Sequence, residues 1–302
     1  MGIFFAVQAL ALLSDGRLAS GDEGGKVRLW GAARGGDAIA VLEGTGTFVE
    51  ALAVLPDGRR LAAGAAGSSE LVVWDTGVVP PTRCATIDCG SGLLALAVLR
   101  DGRLAAGGGG SVVQLVEVGT SAGAIVATLE GHTGVVAALV ELPDGTLASG
   151  SHDKTVRLWD VGARACVATL AGHTGGVSAL AVLNDGRLAS GSYDSMVRLW
   201  DVVTRACVAV LKGHTHDVFA LAALPDGRLV SGSGDKTIRV WNTRPAAGVL
   251  ASVKRVFRRG TPSVVLKGHT GTSNVVALQP LPGGRLASGS NDKMVRLWHL
   301  SH

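Results

Sequence analysis

Charged residues make up only 17% of the 302 residues and aromatic residues only 4%, with a single tyrosine. Hydrophobic residues reach 47%, so there is apolar surface to bury and too little charge repulsion to keep the chain expanded, which excludes a disordered tail. Four cysteines without a CxxC pair exclude a disulfide scaffold and a zinc site of that spacing. Such usage suits a reducing compartment, and a cytoplasmic or nuclear location is expected. No apolar run approaches the ~18 residues of a membrane span; the longest aliphatic stretch is residues 93–99. Glycine, by contrast, is abundant at 44 residues, roughly twice the usual ~7% share. It follows no triplet period, which excludes collagen. Many glycines with few aromatics point to short strands joined by tight turns.

Residues 1–13 have the apolar character of a secretory signal core, but no basic residue precedes the run, and ALALLSDGRLASG at residues 9–21 recurs as ALAVLNDGRLASG at residues 179–191. The segment is therefore expected to belong to the fold. That recurrence is one of seven. A DGR-like turn places its glycine at Gly16, Gly58, Gly102, Gly145, Gly186, Gly227 and Gly284, at intervals of 42, 44, 43, 41, 41 and 57. An apolar run ends in tryptophan at Trp30, Trp74, Trp159, Trp200, Trp241 and Trp298, with Val116 in the remaining slot. Within each unit, four short apolar segments alternate with Gly, Asp and Pro turns, the signature of a four-stranded meander. A sheet of that size cannot cover both of its faces, and seven copies can do so by packing face to face around an axis. The expected fold is all-β, a seven-bladed β-propeller forming one domain over residues 1–302. Its blades fall at about 1–43, 44–87, 88–130, 131–171, 172–212, 213–267 and 268–302.

The unit LAGHTGGVSALAVLNDGRLASGSYDSMVRLWD at residues 170–201, with GH at Gly172 and His173 and WD at Trp200 and Asp201, resembles a WD40 repeat. The resemblance covers essentially the whole chain. It implies strands a to d running from the axis outward, one face carrying the d–a and b–c loops, and a non-catalytic scaffold or adaptor that docks partner peptides on that face near the central opening. By repeat register the partner-binding candidates are Phe48, Glu50, His152, Tyr193, His216, Asp217, Phe219 and Asn291. Phe48, Tyr193 and Phe219 stand out, because aromatic side chains dominate interface hot spots.

Four units carry His, Ser, Asp and Trp at fixed offsets: His132, Ser149, Asp153 and Trp159; His173, Ser190, Asp194 and Trp200; His214, Ser231, Asp235 and Trp241; His269, Ser288, Asp292 and Trp298. A Ser-His-Asp set invites a hydrolase reading, yet four equivalent sites without a nucleophile elbow suit a structural hydrogen-bond network, which is also what the resemblance implies. No catalytic residue, cofactor or metal is expected. Units one to three have Ile3 and Gly24, Thr45, Ala63 and Ser68, and Cys89, Ala106, Gly110 and Val116 at the corresponding slots. Their blades are expected to rely on apolar packing alone. The RACVA repeat marks Cys166 and Cys207 as strand-packing residues.

Aligning Ala9 with Ala138 places Gly2 opposite Gly131. Blade seven is thus expected to lack its outer strand, which puts ring closure in question and leaves an edge open to strand addition by a partner or a second copy. The net charge of +4 arises in one place: residues 244–259 hold five basic residues and no acid, leaving 23 basic against 24 acidic residues elsewhere. There Val249, Leu250, Val253, Val256 and Phe257 recur at one helical face, which predicts a basic amphipathic helix near residues 245–260, inserted between strands c and d of blade six, with Lys254, Arg255, Arg258 and Arg259 on its polar side. Its alternative roles are packing on the propeller flank or contact with an anionic membrane, an acidic partner or nucleic acid. The sequence RRGT at residues 258–261 approximates a basic-directed kinase site. WNTR at residues 241–244 approximates the WDxR sequence with which some family members dock on cullin-type ubiquitin ligases, with Asn242 as the departure.

Overall fold

Each repeat becomes a meander because its turns are encoded locally. In the first DGR turn, Gly16 adopts a φ of 85°, the Asp15 carboxylate accepts the Arg17 amide at 3.0 Å, and the Leu13 amide donates to the Arg17 carbonyl at 2.8 Å. Positive φ costs glycine no steric penalty, and aspartate caps its own turn. The structure, a computed structural model, describes residues 5–31, 38–120, 122–243, 258–260, 262–270 and 274–300.

Blade one comprises β1 (Val7–Leu12), β2 (Leu18–Asp22), β3 (Val27–Trp30) and β4 (Ala40–Leu42). Blade two has β5 (Val49–Val54), β6 (Arg60–Ala65), β7 (Glu70–Asp75) and β8 (Thr82–Asp88). Blade three has β9 (Leu93–Val98), β10 (Leu104–Gly108), β11 (Val113–Val118) and β12 (Gly123–Leu129). Blade four has β13 (Val136–Glu141), β14 (Leu147–Ser151), β15 (Thr155–Asp160) and β16 (Ala165–Ala171). Blade five has β17 (Val177–Val182), β18 (Leu188–Ser192), β19 (Val197–Asp201) and β20 (Ala206–Leu211). Blade six has β21 (Val218–Ala223), β22 (Arg228–Ser233), β23 (Thr237–Asn242) and, beyond the short β24 (Arg258–Gly260), β25 (Pro262–Lys267). Blade seven has β26 (Val275–Leu281), β27 (Arg285–Ser290) and β28 (Val295–His299). Within every blade, neighbouring strands pair antiparallel in chain order. The fold is an all-β seven-bladed propeller, with four meander strands in six blades and three in the seventh.

Blades nest because strand b carries a glycine where the next blade's strand a begins. A methyl group on Gly150 would lie 2.6 Å from Val177 Cγ1, and one on Gly191 would lie 2.7 Å from Val218 Cγ1. The same contact recurs at every blade junction. Between blades seven and one, Val7 fills the space above Gly289, again 2.6 Å from the absent methyl, and β1 packs on β26 and β27. The ring therefore closes through its inner strands, whatever lies at the outer edge of blade seven.

Pairing between the third and fourth strands is equally regular. Leu158 faces Ala168 and Val156 faces Leu170; Leu199 faces Ala209 and Val197 faces Leu211; Leu115 faces Ala127 and Val113 faces Leu129. Blades one and two repeat the scheme with Ala40 and Leu42, and Ala85 and Ile87. Blade six replaces the alanine with Val264. In blade seven no fourth strand covers β28 among the described residues, and Leu297 is 50% exposed, against 3% for Leu158 and 2% for Leu199.

Two expectations need correction. The predicted helix does not run to Gly260: Arg258–Gly260 is strand β24, which pairs in parallel with β20 as a fifth strand on blade five. Backbone groups on the open edge of β20 take the chain as a strand, and glycine closes it as a strand end rather than a helix cap. Lys254 and Arg255, with the rest of the predicted helix, lie outside the described residues. Cys166 is exposed on the outer strand β16 rather than packed, whereas Cys207 is half-buried and does pack, against the core cluster that holds Leu188 and Trp200.

Glycine-to-alanine substitution tests the nesting. Gly150→Ala is expected to lower unfolding stability by about 2 kcal/mol through overpacking, and Val177→Ala in the same chain to recover part of that loss. Additive losses in chemical denaturation of the double variant would contradict direct contact.

Candidate functional site

Strand a alternates buried and half-buried residues, and the half-buried ones face the axis. Gln8, Glu50, Leu94, Ala137, Phe219 and Val276 stand at the loop-face end of a channel of about 210 Å³. One step deeper every blade contributes leucine: Leu10, Leu52, Leu96, Leu139, Leu180, Leu221 and Leu278.

The mouth is polarised. On blades four to six, the His152 and Tyr193 ring centroids lie 5.2 Å apart, and Tyr193 and Phe219 meet edge to face at 5.8 Å. Burial, then Asp217 and Glu50, raises the Tyr193 hydroxyl pKa, while burial lowers that of His152. Tyr193 Oη and His152 Nε2 share a hydrogen bond at 3.2 Å. Across the opening, Gln8 Nε2 donates to Glu23 Oε1 at 2.8 Å. Burial above the leucine layer, reinforced by the charge on Glu23, pushes the Glu50 carboxyl up to about 7. No lysine or arginine is among the residues lining the channel.

The remaining candidates sit on the same face without joining the stacked rings. Phe48 is 45% exposed, at a φ of 52°, and its backbone bridges the Glu23 carbonyl at 3.1 Å and the Ala66 amide at 3.0 Å. His216 Nδ1 lies 3.2 Å from Thr215 Oγ1. Asn291 donates its amide to the Asn274 carbonyl at 3.2 Å, and its buried Oδ1 has no hydrogen-bond partner among the described residues. Gln8, Glu23 and the leucine layer were missed by motif reading. For Gln8 and the leucines the available signal was the period-two alternation of QAL and EAL at residues 8–10 and 50–52; Glu23 had none.

Deeper in blade four, Trp159 Nε1 donates to Ser149 Oγ at 2.7 Å, Ser149 Oγ lies 2.7 Å from His132 Nε2, and His132 Nδ1 lies 2.6 Å from Asp153 Oδ2. Indole can only donate, so the serine proton goes to Nε2 and the Nδ1–H to the carboxylate. Blades five, six and seven repeat the chain, with His–Asp at 2.8 Å and His–Ser at 2.7 Å in each. The four serines have no exposed surface, so a substrate carbonyl has no path to their hydroxyls. Burial lowers the His132 and His269 pKa despite the adjacent carboxylates. For Asp153, burial opposes ionisation, but Thr155, His132 and the Thr133 amide together hold the carboxyl at about 2; His173 and the Thr174 and Met196 amides do the same for Asp194, also at about 2. The Asp235 and Asp292 carboxyls are lowered for the same reasons.

The family model described as WD domain, G-beta repeat, matches residues 123–160, 164–201, 205–242 and 260–299, together just over half of the chain. The chain belongs to the WD40 family. No curated protein matches it. Each matched WD40 repeat begins at or near the outer strand of one blade and ends with the third strand of the next, and all four contain a complete tetrad.

The three blades of the WD40 ring that lack the tetrad are not held by apolar packing alone. In blade one, Trp30 Nε1 donates to Ser20 Oγ at 2.8 Å, and buried Asp22 pairs with Arg28. Thr45, at the histidine slot of blade two, donates to the Gly25 carbonyl at 2.9 Å. Cys89, at that slot in blade three, has its thiol pushed up to about 11 by burial, then by Asp88. On the opposite face, a cavity of about 370 Å³ between blades five and six is walled by Asn184, Asp185, Pro225 and Thr243. Thr243 of the WNTR sequence is buried there, donating to the Gly227 carbonyl at 2.9 Å; Arg244 lies outside the described residues.

Asp194→Ala is expected to cost about 3 kcal/mol at pH 7, measured by urea unfolding. Because the Asp194 carboxyl lies at about 2, below its usual 3.8, its contribution is complete above pH 3.8 and fades as pH falls toward 2. The variant and the parent chain should converge there. Glu50 has the opposite sign: its carboxyl rises from 4.5 to about 7, so folding takes up a proton and stability falls as pH rises through that window. Glu50→Gln is expected to stabilise the protein at pH 8 by about 1 to 2 kcal/mol, allowing for solvent screening, and to change nothing at pH 4.5. An equal effect at both pH values would contradict the buried-carboxylate reading.

Proposed function

We propose that the protein is a non-catalytic scaffold that docks an extended, basic segment of a partner protein across the mouth of its channel. WD40 propellers generally serve as protein-interaction scaffolds. The observation that carries the finer reading is the juxtaposition of the His152–Tyr193–Phe219 shelf with Glu50, a carboxylate held next to Glu23 with no basic partner lining the channel. An alkyl-stemmed cation satisfies both halves at once. Its charge relieves the repulsion between the carboxylates, and its stem and charge lie against aromatic faces, worth about 0.5 to 2 kcal/mol. Asp217, beside Tyr193, extends the acidic character toward the loops, where flanking basic residues would lie.

A positional peptide library presented to the purified protein tests this. Lysine or arginine should be selected at one position and acidic residues rejected throughout. Tyr193→Ala and Phe219→Ala should each weaken the selected peptide about tenfold or more without loss of folding, and binding should strengthen from pH 6 to pH 8 as Glu50 gives up its proton. Selection of acidic peptides, or full binding by both variants, would refute the proposal.

A further inference from the structure

The six blade junctions that the chain itself crosses are not equally braced, and the difference singles out one of them. On the face opposite the mouth, the arginine of a DGR turn pairs with its own aspartate, as Arg17, Arg187 and Arg228 do. It then donates across the junction to a carbonyl just past the third strand of the next blade. Arg17 reaches Thr76 at 2.8 Å, Arg187 reaches Thr243, and Arg228 reaches Leu300 at 3.4 Å. Arg60 of blade two makes the equivalent bond to Gly119 at 2.7 Å. Between blades three and four Arg100 takes over, donating to the Leu142 and Pro143 carbonyls at 3.0 and 2.7 Å. Blade four has neither donor. Thr146 replaces the arginine, and Pro143 stands where blades one, three and five have Ser14, Arg100 and Asn184. Thr146 gives its amide to Asp144 within its own turn, at 2.9 Å. Among the described residues, no hydrogen bond or ion pair joins blades four and five on this face.

We infer that the junction between blades four and five is the seam at which the ring opens, and that the Tyr193–His152 contact is its latch. Those two side chains form the one side-chain hydrogen bond across this junction among the described residues, at 3.2 Å, with ring centroids 5.2 Å apart. The following junction is laced at three levels. Ser178 Oγ donates to the Val218 carbonyl near the axis, Asn184 and Arg187 donate to the Pro225 and Thr243 carbonyls on the far face, and β24 ties blade six to β20 at the rim. The apolar contact is the same at both, Val177 against Gly150 and Val218 against Gly191. Polar bracing therefore decides where sub-global opening begins. A partner segment seated on the His152–Tyr193 shelf spans both blades and holds the seam shut, which couples the mouth to the far face. That consequence rests on the docking proposed above, whereas the seam itself does not.

Native-state thiol labelling tests the seam without any ligand. Val177→Cys and Val218→Cys, made in separate full-length chains, place a thiol at the same fully buried spot in the two junctions. Each chain is exposed to a maleimide under native conditions, and the peptide containing the new thiol is followed by mass spectrometry. The thiol at position 177 should react at least about tenfold faster than the one at position 218, as a deficit of two or more net hydrogen bonds requires. Tyr193→Phe removes the hydroxyl alone; it should speed labelling at 177 about fivefold and leave 218 unchanged. Thr146→Arg supplies the missing strap toward the Val202 carbonyl, two residues past Trp200 as Thr76 is past Trp74. It should slow labelling at 177 by a similar factor, also in the Tyr193→Phe background. Equal rates at the two positions, equal acceleration of both by Tyr193→Phe, or no protection by Thr146→Arg would overturn the inference.

Discussion

The whole ring depends on how closely one sheet can approach the next, and that distance is set by the missing side chain on strand b. At each junction a Val or Leu occupies the space that a Cβ would take. Because the filler is branched at or near its base, it cannot swing aside, and interiors packed to this density transmit any added volume to the backbone. Seven such junctions in a closed circle also fix the angle between blades. The Val7–Gly289 contact, far apart in sequence, is of the same kind as its six local counterparts, so closure requires no special device.

Onto that apolar frame the tetrads add a second, polar level of order. Each is a one-way chain of donors from indole to hydroxyl to imidazole to carboxylate, and it ties the loop before strand a to the strands behind it. Every polar atom in the path has its partner, which removes the desolvation penalty that such groups would otherwise carry. The same saturation disposes of the triad chemistry that the residue types suggest: a serine whose proton and lone pair are both engaged inside the protein offers nothing to a substrate. Side-chain variety lies instead at the loop-face mouth, where the neighbouring blades present unlike residues at equivalent positions.

Blade number, meander topology and all four tetrads were readable from spacing, because each rests on contacts between residues at fixed separation within a repeat. The loop-face candidates were placed by register, yet register alone could not say that His152, Tyr193 and Phe219 touch while Phe48 stands apart, since that depends on side-chain directions in three separate blades. Gln8 and Glu23 were overlooked because they belong to no motif; they matter through their position beside Glu50. The junction glycines were visible as letters in every LASG-like segment, but their partner lies in the following repeat and appears only when the blades are assembled. The end of the basic segment, Arg258–Gly260, misled for a related reason. Its apolar spacing favours a helix, whereas the open edge of β20 supplies a pairing partner that no local pattern can reveal.

The seven leucines at one level of the channel have a consequence for how the disc can be used. Hydrocarbon from every side leaves no hydrogen-bonding partner for a water column, and constrictions of this type tend to empty rather than fill. The collar leaves no hydrated path between the two faces, so an ion entering from the loop face has no solvated route to the arginine-bearing turns on the far side. Each surface of the disc can then answer to its own occupant.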